Sequence, residues 1–223
     1  MNERKRVTTY LAGAIEHASD KEMKSWRQEM TEKLTCPDLL IYDPVAQESQ
    51  KVGKPSGQQV EYVKGLKQAG RWSSFYREMW KIWFGNISEN TDIIPLLTSL
   101  RMKKHIDGNH QSEIIYWGDA EAVVRSDFIV AYMPKDIKTV GTIFEIVWAF
   151  MYGIPIYLIL PDAPKIDTNS SLIFGIMVSG GEIFYNVNEC VRFIKEKHKL
   201  GEPEKKDKDA SVDSRSAREV RGS

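Results

Sequence analysis

Three shortages in the sequence each remove a class of protein. There are two cysteines, Cys36 and Cys190, in 223 residues, too few for a disulfide framework, so a reducing cytoplasm is the expected setting. There is no excess charge: 31 Lys and Arg stand against 31 Asp and Glu, which argues against a general nucleic-acid binder, whose affinity rests on surplus positive charge. There is no long apolar run. The most apolar stretch, Ile146 to Leu160, is shorter than the roughly 20 residues of a spanning helix and carries Gly153 and Pro155. The first residues, MNERKRVTTYLAG, lack the apolar stretch of a signal peptide. With 42% hydrophobic and 28% charged residues, the chain reads as a soluble globular protein that does not enter a membrane.

What is present alternates between strand and helix. Val7 to Ile15 is short, β-branched and apolar, as suits a strand buried on both faces. Ser19 and Glu22 stand at capping-box spacing before a helix to about Leu34, in which Met23, Trp26, Met30 and Leu34 make one apolar stripe. Leu39 to Tyr42 reads as a second strand, and the three elements as a βαβ unit with parallel strands. The alternation returns with a helix at Asp119 to Arg125, a strand at Phe128 to Met133, a helix at Thr142 to Tyr152 and a strand at Ile154 to Leu160. Ile183 to Tyr185 makes a short last strand and Val187 to Lys199 a closing helix. This order predicts an α/β fold, a doubly wound parallel sheet occupying residues 1–200 as a single domain.

Two segments fall outside that pattern. Residues 46–113 form an insertion longer than a crossover needs, with Trp72, Phe75, Tyr76, Met79, Trp80, Trp83 and Phe84 at helical spacing. Such a stripe packs an amphipathic helix on the sheet or on a second subunit, or forms a lid that stacks on a flat ligand. Gln47 to Gln59, rich in Gln, Ser, Gly and Lys, is expected to be a loop. Residues 201–223 carry alternating charge and almost no aliphatic side chains, and are expected to be a disordered tail.

In a doubly wound sheet ligands bind beyond the carboxyl ends of the strands, and three segments point there. Gly13 leaves the first strand and permits close backbone approach. Thr139, Gly141 and Thr142 lead into a helix whose N-terminal N–H groups suit an anion, and Glu145 follows in its first turn, where the dipole keeps a carboxylate ionised. Such a carboxylate suits a nucleophile for an electrophilic sugar carbon; equally, Thr142-x-x-Glu145 has the spacing of a capping box that does nothing but start a helix. Asp119 and Asp127 are eight residues apart, so both reach one helix face if the helix continues; otherwise Asp119 is an N-cap and Asp127 a loop residue.

Taken together, Tyr10-Leu-Ala-Gly13 with Trp26 in the next helix, Asp119-x7-Asp127, and Gly141-Thr-x-x-Glu145 leading to Ala149, Gly153 and Pro155 resemble the nucleoside 2-deoxyribosyltransferase superfamily. That superfamily includes the deoxynucleoside 5′-monophosphate N-glycosidases. The resemblance covers residues 7–44 and 115–160 and leaves out the aromatic insertion and the tail. It implies a flavodoxin-like fold acting on the N-glycosidic bond of deoxynucleosides or their monophosphates, without metal or organic cofactor. By that resemblance Glu145 attacks C1′ of the deoxyribose, Tyr10 orients it, and Asp119 contacts substrate or assists proton transfer. Gly13, Thr139, Gly141 and Thr142 shape the sugar or phosphate pocket, with Asp127 a further substrate-binding candidate. Some transferases of the superfamily carry a carboxylate six residues before the nucleophile, whereas the monophosphate hydrolases carry a serine there. Here that position is Thr139, which favours a nucleotide; the acidic Glu16 in the first loop works against a phosphate, with Arg125 or a basic residue of the insertion to compensate. The resemblance also implies a homo-oligomer whose sites borrow a neighbouring chain, with the Trp-rich helix as the contact.

Other chemistries find less support. His105 and His110 lack the i, i+4 spacing of a shared helical face, Glu113 follows a turn at Asp107-Gly108, and no metal site is expected. No Ser-His-Asp pattern is legible. The cytokinin-activating phosphoribohydrolases share Gly-Thr-x-x-Glu, but the Pro-Gly-Gly that precedes it there is missing here. The remaining alternative is a non-catalytic nucleotide-binding or sensing module of the same fold, in which Glu145 is only a cap.

Overall fold

The computed structural model describes residues 6–51, 56–107, 118–137, 139–161 and 169–201. The charged tail beyond residue 201, and His110 and Glu113 of the insertion, lie outside them. The elements run β1 (Val7–Gly13), α1 (Asp20–Leu34), β2 (Leu39–Tyr42), α2 (Pro44–Lys51), α3 (Ser56–Gln68), α4 (Trp72–Phe84) and α5 (Ile93–Asp107). They continue with α6 (Asp119–Arg125), β3 (Phe128–Tyr132), α7 (Val140–Met151), β4 (Ile156–Ile159), α8 (Ser170–Val178), β5 (Glu182–Phe184) and α9 (Val187–Lys197).

The strands form one parallel sheet in the order β2-β1-β3-β4-β5, the doubly wound, flavodoxin-like arrangement. Because side chains alternate across a strand, each strand feeds two cores. Tyr10 and Ala12 of β1, Ile129 and Ala131 of β3, and Ile156 and Leu158 of β4 face α6, α7 and α8, meeting Val123, Ile146, Ala149 and Ile176. The intervening Leu11, Phe128, Val130, Tyr157 and Ile159 face α1 and α9, meeting Trp26, Met30, Val191 and Ile194. Burial on both faces is why the strands read as unbroken apolar runs.

Helix α1 begins where its sequence indicates. Ser19 accepts from the Glu22 amide and Glu22 accepts from the Ser19 amide, so both halves of the capping box are made. Its buried face holds Met23, Trp26, Met30 and Leu34, and also Arg27. The Arg27 guanidinium donates to the carbonyls of Met23 (2.6 Å) and Gly13 (3.0 Å), and its Nε lies 3.4 Å from Asp43 Oδ1. It also sits over the Trp26 ring. One cation thereby joins α1 to the carboxyl ends of β1 and β2.

The region read as a loop at Gln47 to Gln59 is largely helical: residues 47–51 belong to α2 and 56–59 to α3. Ser, Gln and Gly lower helix propensity by only a few tenths to about 1 kcal/mol each, and packing outweighs that. Helix α8 is a further element that the sequence reading did not separate from its surroundings. In the aromatic helix α4 no residue is fully buried. Its C-terminal end packs on the Leu97, Ala120 and Val124 cluster through Trp83 and Phe84, while Trp72 at its start is 63% exposed. No helix among the described residues is long and apolar enough to cross a membrane.

Below the sheet, on the α9 side, His198 stacks on Phe128 and its Nε2 lies 2.9 Å from the Tyr157 hydroxyl. Burial, then the Lys197 charge, pushes its pKa below the ordinary histidine value, against the pull of Asp127. Below pH 6.5 the unfolded chain therefore binds a proton that the native ring resists, so stability falls as the pH drops through that range. Urea midpoints measured from pH 7.5 to 5 should fall, and His198→Gln should flatten that slope; an unchanged slope in the variant would remove His198 as its origin.

Candidate active site

The chain runs from β1 outward to β2 and then back across to β3, so the connections leave the carboxyl ends of β1 and β3 in opposite directions. That divergence opens the crevice in which doubly wound proteins bind ligands. Here it is a cavity of about 160 Å³. Gly13, Ala14, Ile15, Glu16 and His17, leaving β1, form one wall, and Thr139 to Thr142, Asp119 and Glu145 form another. The insertion supplies the rest: Gln59, Val60 and Val63 from α3, and Met79, Ile82 and Trp83 from α4.

Glu145 projects from the second turn of α7 and is 5% exposed. Its Oε1 accepts a hydrogen bond of 2.6 Å from the Tyr10 hydroxyl. Tyr10 is fully buried in the middle of β1, stacked on Tyr42 at 5.5 Å. Burial, followed by the negative charges of Asp119 and Glu145, holds the phenol well above its ordinary pKa, so it keeps its proton and donates. A short hydrogen bond from a neutral hydroxyl to a carboxylate is among the stronger ones a protein makes. It fixes the glutamate rotamer from the sheet below.

Asp119 opens α6 and is 7% exposed. It is not the N-cap; Gly118 is, with extended backbone and no side-chain cap bond. Glycine is required there by close approach. A Cβ on Gly118 would lie 2.4 Å from the Trp83 carbonyl and 2.5 Å from the Phe84 nitrogen, so the end of α4 runs backbone to backbone across the start of α6. Gly13 meets a similar demand, since a Cβ would stand 2.6 Å from the Trp26 ring. The capping-box reading of Thr142 and Glu145 does not hold. Helix α7 starts one turn earlier, with Thr139 at the N-cap making no side-chain cap bond. Thr142 is 1% exposed with its hydroxyl unbonded. Glu145 consequently lies beyond the first turn, and its environment is set by Tyr10 rather than by the helix end.

Of the residues singled out in the sequence, Gly13, Asp119, Thr139, Gly141, Thr142 and Glu145 line one crevice, and Tyr10 touches it through Glu145. Asp127 does not. It precedes β3, at the amino ends of the strands, opposite the crevice, where its Oδ2 accepts from the amide (2.7 Å) and hydroxyl (3.0 Å) of Thr8. Helix α6 ends at Arg125, so the two aspartates never share a helical face. Arg125 is also at that far end: it pairs with Glu121 at 2.8 Å, and its carbonyl accepts from the Thr8 hydroxyl. It cannot offset Glu16, whose carboxylate is instead paired with Lys67 of α3. No group of three or more His, Cys, Asp or Glu suited to a metal ion occurs among the described residues.

Met79 and Trp83 belong to the aromatic stripe offered as a lid, but the α3 part of the lining, Gln59, Val60 and Val63, was not anticipated. Val60 and Val63 at helical spacing were the available signal, but the polar residues around them read as loop. Trp83 contacts Phe144 of α7 edge-on at 6.1 Å and Phe84 contacts Trp148 at 6.4 Å, which seats α4 against α7.

Fold and site together define a doubly wound α/β protein with two buried acids and a phenol at its switch-point crevice. The chain matches no family model, and no curated protein matches it.

Tyr10→Phe keeps the ring stack and removes only the donor to Glu145. It should lower unfolding stability by about 1.5–3 kcal/mol, the range for hydrogen bonds to charged groups, with an unchanged m-value in urea. A variant as stable as the parent would mean that the bond contributes nothing in solution.

Proposed function

We propose that the protein cleaves or transfers at the N-glycosidic bond of 2′-deoxynucleosides or their 5′-monophosphates, with Glu145 as nucleophile. The observation that carries this reading is the 2.6 Å bond from Tyr10 to Glu145, at the base of a crevice that also holds Asp119. Glu145 attacks C1′ and the C1′–N bond breaks. The electron pair leaves with the base, as an anion or with a proton delivered with the help of Asp119. The oxocarbenium-like transition state is stabilised by the adjacent carboxylate. Water or a second base then attacks the deoxyribosyl-glutamate from the vacated side, releasing Glu145 with the configuration retained. Each step uses side chains alone, with no metal or organic cofactor.

The N-terminus of α7 offers Thr139 and the backbone N–H groups of the first turn to the 5′ end of the substrate, as hydroxyl or phosphate. The pairing of Glu16 with Lys67 lessens the repulsion that a phosphate would meet there. At about 160 Å³ the crevice is tighter than the ~300–1,000 Å³ of common ligand sites, so a whole nucleoside enters only as α3 and α4 ease outward. The reading places this chemistry in the cytoplasm.

It also includes a homo-oligomer, with the contact shifted from the Trp-rich helix. Val140, Phe144, Phe150 and Met151 of α7 and Phe174 and Met177 of α8 are 44–67% exposed. Large apolar side chains left this exposed on two helices are of the kind that a subunit contact covers. Sedimentation at micromolar concentration should show a dimer or larger species, and Phe174→Glu should dissociate it; a parent protein that sediments as a monomer rules the contact out.

The catalytic test is incubation with a panel of deoxynucleosides and monophosphates, with and without a second free base, scored for released base. Glu145→Ala should cut release by roughly 10³-fold or more while ligand binding persists. If every substrate stays intact with the parent protein, the chain is the binding module and not the enzyme.

A further inference from the structure

Gln59, like Thr142, is a buried crevice residue with unbonded polar atoms, and it alone of the two carries separate donor and acceptor groups. It comes from α3, in the insertion, is 2% exposed, and neither its Oε1 nor its Nε2 makes a hydrogen bond. A buried amide left unbonded at both ends is costly, and native proteins seldom keep one without a use. Its surroundings suggest the use. Val60, Val63, Met79, Ile82 and Trp83 line the same cavity, all from the insertion and all apolar apart from the indole N–H. The acids, Asp119 and Glu145, come from the α/β core. The crevice therefore has a carboxylate wall suited to a sugar and an apolar wall with one donor–acceptor pair. A flat heteroaromatic ring, apolar on its faces and polar on one edge, is complementary to the second.

We infer that Gln59 determines base specificity by pairing its amide, donor and acceptor together, with a base edge that carries an exocyclic amine beside a ring nitrogen. This rests on the proposed glycosidic chemistry for the sugar end of the site, but its test does not. Bidentate amide–base pairs discriminate by about 10- to 100-fold or somewhat more against a base that lacks the edge.

Binding of free bases, measured by calorimetry, requires no turnover. The parent protein should bind adenine or cytosine at least tenfold more tightly than the amine-free counterpart, purine or 2-pyrimidinone. Gln59→Leu, similar in size, should abolish that preference and leave the counterpart's affinity within about twofold. Gln59→Glu, which keeps an acceptor and loses the donor, should also lose it. The same leucine variant should be more stable, its Tm raised by about 2–8 °C, because an unbonded buried amide has been replaced by an apolar group; a glutamine with a merely structural role would give a lower Tm. The inference is overturned if the parent binds neither base or shows no preference, if Gln59→Leu keeps the preference, or if its Tm falls. Base binding that behaves as stated without cleavage of any deoxynucleoside would remove Glu145 as nucleophile and leave Gln59 in place. Cleavage unaltered in rate and base preference by Gln59→Leu would do the reverse.

Discussion

Burying a carboxylate costs several kcal/mol unless something hydrogen-bonds to it, and at Glu145 the donor is the phenol of Tyr10. Much else in the molecule serves that contact. Tyr10 points toward α7 because it alternates with Leu11 in a strand that is buried on both faces. It is held there by the stack on Tyr42 and by neighbours in β2 and β3 on either side. The pair lies at the switch point because β1 is the strand at which the chain reverses its direction of winding. A slip of one residue in β1 would place the hydroxyl in the α1 core and leave the glutamate buried without this donor.

The insertion turns an open switch point into a cavity. Helices α3 and α4 are tied to the core by specific contacts: Glu16 to Lys67, the α4 backbone across Gly118, and Trp83 and Phe84 against α7. Their contribution to the site is apolar, apart from Gln59 and the Trp83 indole, whereas the core contributes the acids. The C-terminal half of the amphipathic α4 lines the crevice, and its start is left exposed.

The fold was legible because parallel strands buried on both faces leave unbroken apolar runs, and each surface helix leaves a 3.6-residue stripe. Ser19 and Glu22 marked the start of α1 by chemistry that is local in sequence. Where the cause was not local, the reading failed. Residues 47–51 and 56–59 looked like loop because their composition is polar, yet they are helical. Thr142 and Glu145 had capping-box spacing, but α7 begins at Val140, and no local rule places that start. Asp119 and Asp127 looked like partners from their separation, but the helix between them ends at Arg125 and leaves them at opposite ends of the strands.

By itself the sequence determined the alternation of strands and helices, the doubly wound architecture that follows from it, and the small set of polar residues near strand ends. These depend on periodicity and on neighbours a few residues apart. Only the tertiary structure decided that Tyr10 and Glu145, 135 residues apart, share a hydrogen bond, that Asp127 faces away, and that Gln59 closes the crevice from above. Such facts depend on strand order and on where an insertion folds back, which are set by the summed burial of the whole chain rather than by any segment's own pattern.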